Sequence, residues 1–106
     1  MPRAHFPELI RSLDNYEGQF NAFELRSGGC RVLFASFEAG KEIEPHSHDT
    51  ENVGIVTNGE LYLTQMGIEK SYGVGEWYHI DKHETHSARF EQDSAELEFW
   101  FTGEHE

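Results

Sequence analysis

Two histidines one residue apart, His46 and His48 in the stretch EPHSHDTEN, raise the question of a metal site. On an extended backbone residues i and i+2 leave the same face, so both imidazoles can meet one ion. Neutral imidazole is a good ligand for Zn, Fe, Ni and Cu. Surface histidines also reach this spacing by chance, and the pair alone is only suggestive. A second cluster adds weight: His79, His83 and His86 in HIDKHETH bring five of the seven histidines between positions 46 and 86. An antiparallel barrel could fold this cluster back onto the first. His79 alternates with Trp77 in EWYHI and faces either a lumen or solvent. Inside a lumen, its ordinary pKa of ~6.5 would suit a general base. His83 reads as a solvated loop residue, and His5 and His105 near the termini receive no role. The single cysteine, Cys30 in CRVLFASF, has no internal disulfide partner and reads as a small half-buried residue, not a nucleophile.

The elements that must carry these side chains are mostly strands. FPELIRSL, Phe6 to Leu13, opens with Pro7 and spaces Phe6, Ile10 and Leu13 on one face, which predicts one short helix. In FNAFELR the period changes to two, and Gly28-Gly29 marks a hairpin turn into CRVLFASFEAG. VGIVTNGELYLTQMG predicts a second hairpin about Asn58-Gly59, a pair suited to a type I′ turn, with Leu61 and Leu63 on one face and Tyr62 and Thr64 on the other. IEKSY, EWYHI, HSARF and ELEFWF follow; in the last, Leu97, Phe99 and Phe101 alternate with Glu96, Glu98 and Trp100. Short strands with turn signals between them predict an all-β sandwich or barrel. Tyr62, Trp77, Tyr78, Phe99, Trp100 and Phe101 are expected in its core, because a barrel this small needs them to exclude water.

A chain of 106 residues fits one domain, here residues 1–106. Its formal charge of -12 repels phosphate backbones and anionic lipid, so no nucleic acid and no membrane partner is expected. No apolar run approaches the ~20 residues of a spanning helix, and the start lacks the apolar stretch of a secretory signal; the expectation is a cytoplasmic protein. The acidic tail GEHE is expected to fray. Arg26, Arg31 and Arg89 are the few cations on predicted strands, and one of them inside the barrel would signal a carboxylate or phosphate substrate.

Gly40, five residues, His46, one residue, His48, and later Gly59 resemble the first motif of the cupin superfamily: glycine, five residues, His-x-His, three or four residues, glutamate, six residues, glycine. Gly75 and His86 match the second, in which glycine, five residues, proline, one residue, glycine and two residues precede a histidine. The match runs in register from Gly40 to about Phe90. It implies an all-β, cupin-type double-stranded β-helix, an RmlC-like jelly-roll barrel with a short N-terminal helix, the site motifs lying within residues 40–90. It also implies a divalent metal ion (Fe, Mn, Zn or Ni) on His46, His48 and His86.

This chain departs from the motifs where the family has its glutamate, which falls on Asn52. Glu51 lies one position early and points to the opposite face if the strand has already begun. Asn52 is expected as a weak ligand or a group behind the ligands. The second motif's proline and glycine positions hold Asp81 and His83. Three neutral imidazoles leave an ion its full charge, so such a centre should prefer an anionic, chelating molecule. The resemblance implies an enzyme of dioxygenase, isomerase or lyase type acting on a small polar molecule in the barrel. His79 or Glu51 is then the candidate for moving the proton. The competing reading is a binding or sensor module without turnover, which gains ground if His79 and Glu51 both face solvent. The family also commonly pairs through sheet edges, which implies a homodimer.

Overall fold

A computed structural model describes residues 6–102, so His5, His105 and the acidic tail at 103–106 lie outside the described residues. One helical turn, α1 (Glu8–Arg11), precedes ten strands: β1 (Asp14–Asn15), β2 (Asn21–Ser27), β3 (Cys30–Phe37), β4 (Glu42–His46), β5 (Glu51–Asn58), β6 (Glu60–Gln65), β7 (Ile68–Gly73), β8 (Trp77–Ile80), β9 (His86–Arg89) and β10 (Ser94–Phe101). They form two antiparallel sheets, β1-β2-β3-β10-β5-β8 and β4-β9-β6-β7. This is the expected jelly-roll barrel. Among the described residues no helix is long and apolar enough to cross a membrane.

The core lies between the sheets. Leu33, Ala35, Val56, Leu61, Leu63 and Ile80 are buried there, and Phe37 stacks on Phe90 with ring centroids 4.0 Å apart. In and around α1, from Phe6 to Leu13, the three residues predicted to share a face, Phe6, Ile10 and Leu13, are the half-buried ones. Phe6 sets its ring edge-on against Phe23 and Phe34.

The Gly28-Gly29 hairpin forms as predicted, pairing Ser27 with Cys30. The Asn58-Gly59 hairpin does not. β5 pairs with β10 and β8 and β6 with β7 and β9, so Asn58-Gly59 is a corner between sheets. Asn58 also lacks the positive φ that a type I′ turn requires at both central residues. Gly59, at φ +74, packs against Ser94, whose Oγ accepts from the Glu60 N–H at 3.1 Å and anchors the corner. The two-residue turn with both φ values positive is instead Met66-Gly67, joining β6 to β7. Turn chemistry marks where the chain reverses; it does not choose the strand's partner.

The six-stranded sheet presents its inward residues in rows. Arg31, Trp100, Asn52 and Ile80 form one row across β3, β10, β5 and β8; Leu33, Glu98, Gly54 and Tyr78 form the next; Ala35, Glu96 and Val56 follow. Of the six aromatics expected inside, Tyr78 and Trp100 are buried. Tyr62, Phe99 and Phe101 are only half-buried, and Trp77 is 56% exposed on the outer face. The period-two alternation of β8 and β10 was legible, but which phase points inward depends on the neighbouring strands.

Candidate metal centre

His46 ends β4, His48 lies on the crossing from β4 to β5, and His86 opens β9 after the crossing from β8. Both crossings pass between the two sheets at the same end of the barrel, which is why separated segments converge. His46 pairs directly with His86 across β4 and β9. The two crossings are also tied together: the His83 N–H donates to the His48 carbonyl at 2.7 Å. His83 adopts φ +67, so a histidine takes the left-handed conformation at the motif's glycine position. Glu84 braces the same loop, accepting from the Asp81 N–H at 2.9 Å and from Gln65 Nε2 at 3.1 Å.

The ligand atoms of His46, His48 and His86 all lie within 4.8 Å of one another. His46 Nδ1 is 2.7 Å from the Glu44 carbonyl and His86 Nδ1 is 2.9 Å from the Glu84 carbonyl. A carbonyl only accepts, so each Nδ1 carries the proton and each Nε2 keeps a free lone pair. Backbone partners of this kind fix the tautomer and ring orientation of a ligating histidine. His46 Nε2 and His48 Nε2 lie 3.0 Å apart. Two nitrogens each ~2.1 Å from one ion and roughly at a right angle would have about that separation. Burial, then the neighbouring imidazoles of His46 and His86, push the His48 pKa down to about 4. Burial also lowers that of His86. Both are therefore neutral near pH 7, the form that binds a cation. The donor set fits a divalent ion.

β5 begins at Glu51, so Glu51 and Asn52 point to opposite faces. Asn52 is buried against the lumen cavity, its Oδ1 accepting from Thr50 Oγ1 at 2.7 Å. Glu51 and His79 are not brought to this site. They pair on the outer face, 2.6 Å apart, with both side chains 52% exposed. Arg26 and Arg31 are held on Glu24, and Arg89 on Glu69 and Glu91; none of the three lines the lumen cavity. Burial raises the Cys30 pKa, which disfavours the thiolate.

The sequence reading missed two carboxylates. Glu96 and Glu98 point inward from β10 and line the cavity that the three histidines share. They leave Leu97, Phe99 and Phe101 on the outside, the reverse of what hydrophobicity suggests. Tyr78 Oη donates to Glu96 Oε1 at 2.5 Å, and Trp100 Nε1 donates to Glu98 Oε1 at 2.9 Å. The two carboxyl groups, two residues apart on β10, are buried on the same face of the strand. Burial, then the adjacent Glu98 charge, holds the Glu96 pKa well above the usual carboxylate range; burial raises that of Glu98 too. The available signal was phase: Glu96 and Glu98 alternate in step with Trp100, but only the pairing of Trp100 with Asn52 turns that phase inward.

The cavity measures about 40 Å³ and is lined on its other side by Ile43, Leu61, Leu63, Ile80 and Ala88. A water needs roughly 10–15 Å³ by the same kind of measure, so the space suits a few heavy atoms, the small end of a ligand.

A family model described as a cupin domain matches residues 33–102. No curated protein matches the chain. Among solved structures, an RmlC-like cupin from Shewanella frigidimarina is 18% identical with a TM-score of 0.79, the alignment covering 95% of this chain and 93% of that one. KdgF from a Halomonas species is 18% identical over 87% of this chain and 88% of its own, with a TM-score of 0.75. A conserved protein of unknown function from Streptococcus pyogenes is 16% identical, with 96% and 90% covered and a TM-score of 0.76. At these identities the structures speak for the fold, and the family model covers most of the chain. With motif glycines, crossings and barrel all agreeing, the chain belongs to the cupin family.

Proposed function

We propose that residues 1–106 act as one cupin domain that binds a divalent ion through His46, His48 and His86 and turns over a small chelating molecule in the lumen. The observation that carries this reading is the set of three imidazoles, with ligand atoms within 4.8 Å and two Nδ1 atoms committed to backbone carbonyls. Asn52 is the weak ligand or the group behind the ligands. A bound divalent ion (Fe, Mn, Zn or Ni) would act as a Lewis acid on a carbonyl or hydroxyl oxygen; Fe(II) would add oxygen chemistry.

The chain's own residues do the rest. Asn52 and Trp100 border the small polar end of the cavity, while Leu61, Leu63 and Ile80 exclude water from it. Because no arginine lines that cavity among the described residues, an anionic ligand is attracted by the ion itself. This favours isomerase or lyase chemistry over dioxygenase chemistry only through the two lumen carboxylates, which can hold protons. A sensor without turnover is the second reading, favoured by the exposed pairing of Glu51 with His79, which removes both from the lumen.

A cytoplasmic homodimer belongs to the same proposal. The outer face of the six-stranded sheet carries a cross-strand apolar row, Trp77, Ile55, Leu97 and Phe34, that a second copy would cover.

The test is metal analysis of protein purified without a histidine tag, followed by oxygen-uptake assays with dicarbonyls. About one ion per chain is expected. Uptake with iron assigns the dioxygenase, metal without uptake favours Lewis-acid chemistry, and a chain that takes up no metal overturns the proposal.

A further inference from the structure

Glu96 and Glu98 each accept one hydrogen bond from an aromatic side chain. Tyr78 Oη donates to Glu96, and Trp100 Nε1 donates to Glu98. Each carboxyl thus has one oxygen held by an aromatic donor and is fixed in orientation within the cavity wall. Both carboxyl groups are buried two residues apart on one face of β10 and line one cavity, and burial raises both pKa values, which favours one proton held by the pair over two charges. Burial, then the adjacent Glu98 charge, raises Glu96 well above the usual carboxylate range, so Glu96 is the member that holds the proton, and Glu98 lines the cavity with the histidines.

The surroundings are shaped for this arrangement. Tyr78 stands opposite Gly54 on the neighbouring strand, yet its hydroxyl reaches Glu96 on β10, the strand beyond. It does so by lying across Gly54, where a Cβ would overlap the Tyr78 ring and hydroxyl. A side chain at position 54 would therefore cut the line from Tyr78 to Glu96. The pair is also costly to keep: two acids sit where the alternation would have allowed Leu97 and Phe99 to face inward.

We propose that Glu96 and Glu98 are the proton-transfer pair of the lumen, with Glu98 taking a proton from carbon in a ligand held at the His46, His48 and His86 site. This rests on the reading of those histidines as ligands. The ligand class is a small carbonyl compound with an oxygen substituent on the adjacent carbon, so that two oxygens chelate and the C–H next to the carbonyl faces Glu98. In the step, that C–H bond breaks and its proton passes to a Glu98 oxygen. The electron pair becomes a C=C bond while the carbonyl oxygen takes up the charge. Return of the proton to the same carbon exchanges it with solvent; where the adjacent oxygen is a hydroxyl, its return to the former carbonyl carbon, with the hydroxyl proton moving to the former carbonyl oxygen, completes an isomerisation in which no electrons leave the ligand. Glu96 and Tyr78 are positioning residues that keep Glu98 ionised at the start and stabilise it once protonated.

The experiment has two arms, with hydroxyacetone and pyruvate as probes. In deuterated water, metal-loaded wild-type protein should exchange carbon-bound hydrogen of at least one probe, followed by NMR. E98Q should lose about 100-fold or more of that exchange, in line with general base catalysis, while keeping its metal and its circular dichroism. The second arm uses metal-free protein: infrared spectra near neutral pH should show a protonated carboxyl band that shifts in deuterated water and disappears in E96Q. No exchange with wild type, unchanged exchange in E98Q, loss of metal in E98Q, or a band that survives in E96Q each overturns the proposal. Wild-type protein that binds no metal but shows the band would instead remove the metal reading and leave the shared proton in place.

Discussion

Among the described residues, two clusters meet the same distance condition for holding a cation: His46, His48 and His86 in the lumen, and Glu51, His79 and Asp81 on the outer face. Their surroundings differ in every other respect. The lumen set includes a histidine only 6% exposed, and two of its rings are oriented by backbone carbonyls. In the outer set Glu51 and His79 are 52% exposed and Asp81 is 70% exposed, and their nearest contacts are with each other. Exposed ion pairs of that kind contribute little, because water and salt screen them. Proximity of donors is thus a weak criterion. What separates the lumen cluster is that desolvation keeps His48 and His86 neutral and backbone carbonyls hold the rings of His46 and His86 with their Nε2 atoms aimed together.

The largest effect that could break this contrast is on metal affinity. Replacing His48 by alanine should abolish stoichiometric binding, a loss beyond the roughly 10- to 100-fold typical of an outer partner, with the β circular dichroism retained. His79→Ala should leave titrations with Zn or Co(II) unchanged. If the two variants exchanged these outcomes, the outer cluster would be the metal site.

A smaller effect should come from the hydrogen bond behind the lumen acids. Tyr78→Phe leaves a buried carboxyl short of a donor and should cost about 1–3 kcal/mol in urea denaturation. Glu51→Ala on the outer face should stay within about 0.5 kcal/mol of the parent. Equal costs would mean that the lumen network is no more committed than the surface.

The smallest effect is on pH dependence. The folded His48 pKa, about 4, lies below its unfolded value near 6.5. The unfolded chain therefore binds the extra proton first, so the metal-free protein keeps its full stability above pH ~6.5 and loses it as pH falls toward 4. Metal release should follow at lower pH than free imidazole would give, because protons compete less well for His48. Denaturant midpoints across that range check the first statement, and the slope should flatten in His48→Asn. A slope of the opposite sign would contradict the burial of His48.

The parts legible in the sequence were those fixed by local spacing. The His-x-His pair, the Gly28-Gly29 turn and the short helix follow from residues a few positions apart, while His86 came from the resemblance of the Gly75 to His86 stretch to the second motif. The phase of Asn52 and Glu51 was readable only conditionally, and the start of β5 at Glu51 resolved it. What local spacing cannot carry is pairing. Asn58-Gly59 reverses the chain as its residues suggest, but the strands it joins enter different sheets. Likewise the alternation in β10 was plain, while its inward face was set by β3 and β5, which turn Glu96 and Glu98 toward the core. Of the two faces open to His79, pairing likewise selects the outer one: its neighbour Tyr78 occupies the inward phase, lying over Gly54.

The most direct test is anomalous scattering from crystals of tag-free protein at the absorption edge of whichever metal it retains. The account predicts a single peak bonded to Nε2 of His46, His48 and His86, with Glu51, His79 and Asp81 bare. A peak on the outer trio, or one that leaves any of the three lumen imidazoles uncoordinated, would contradict it.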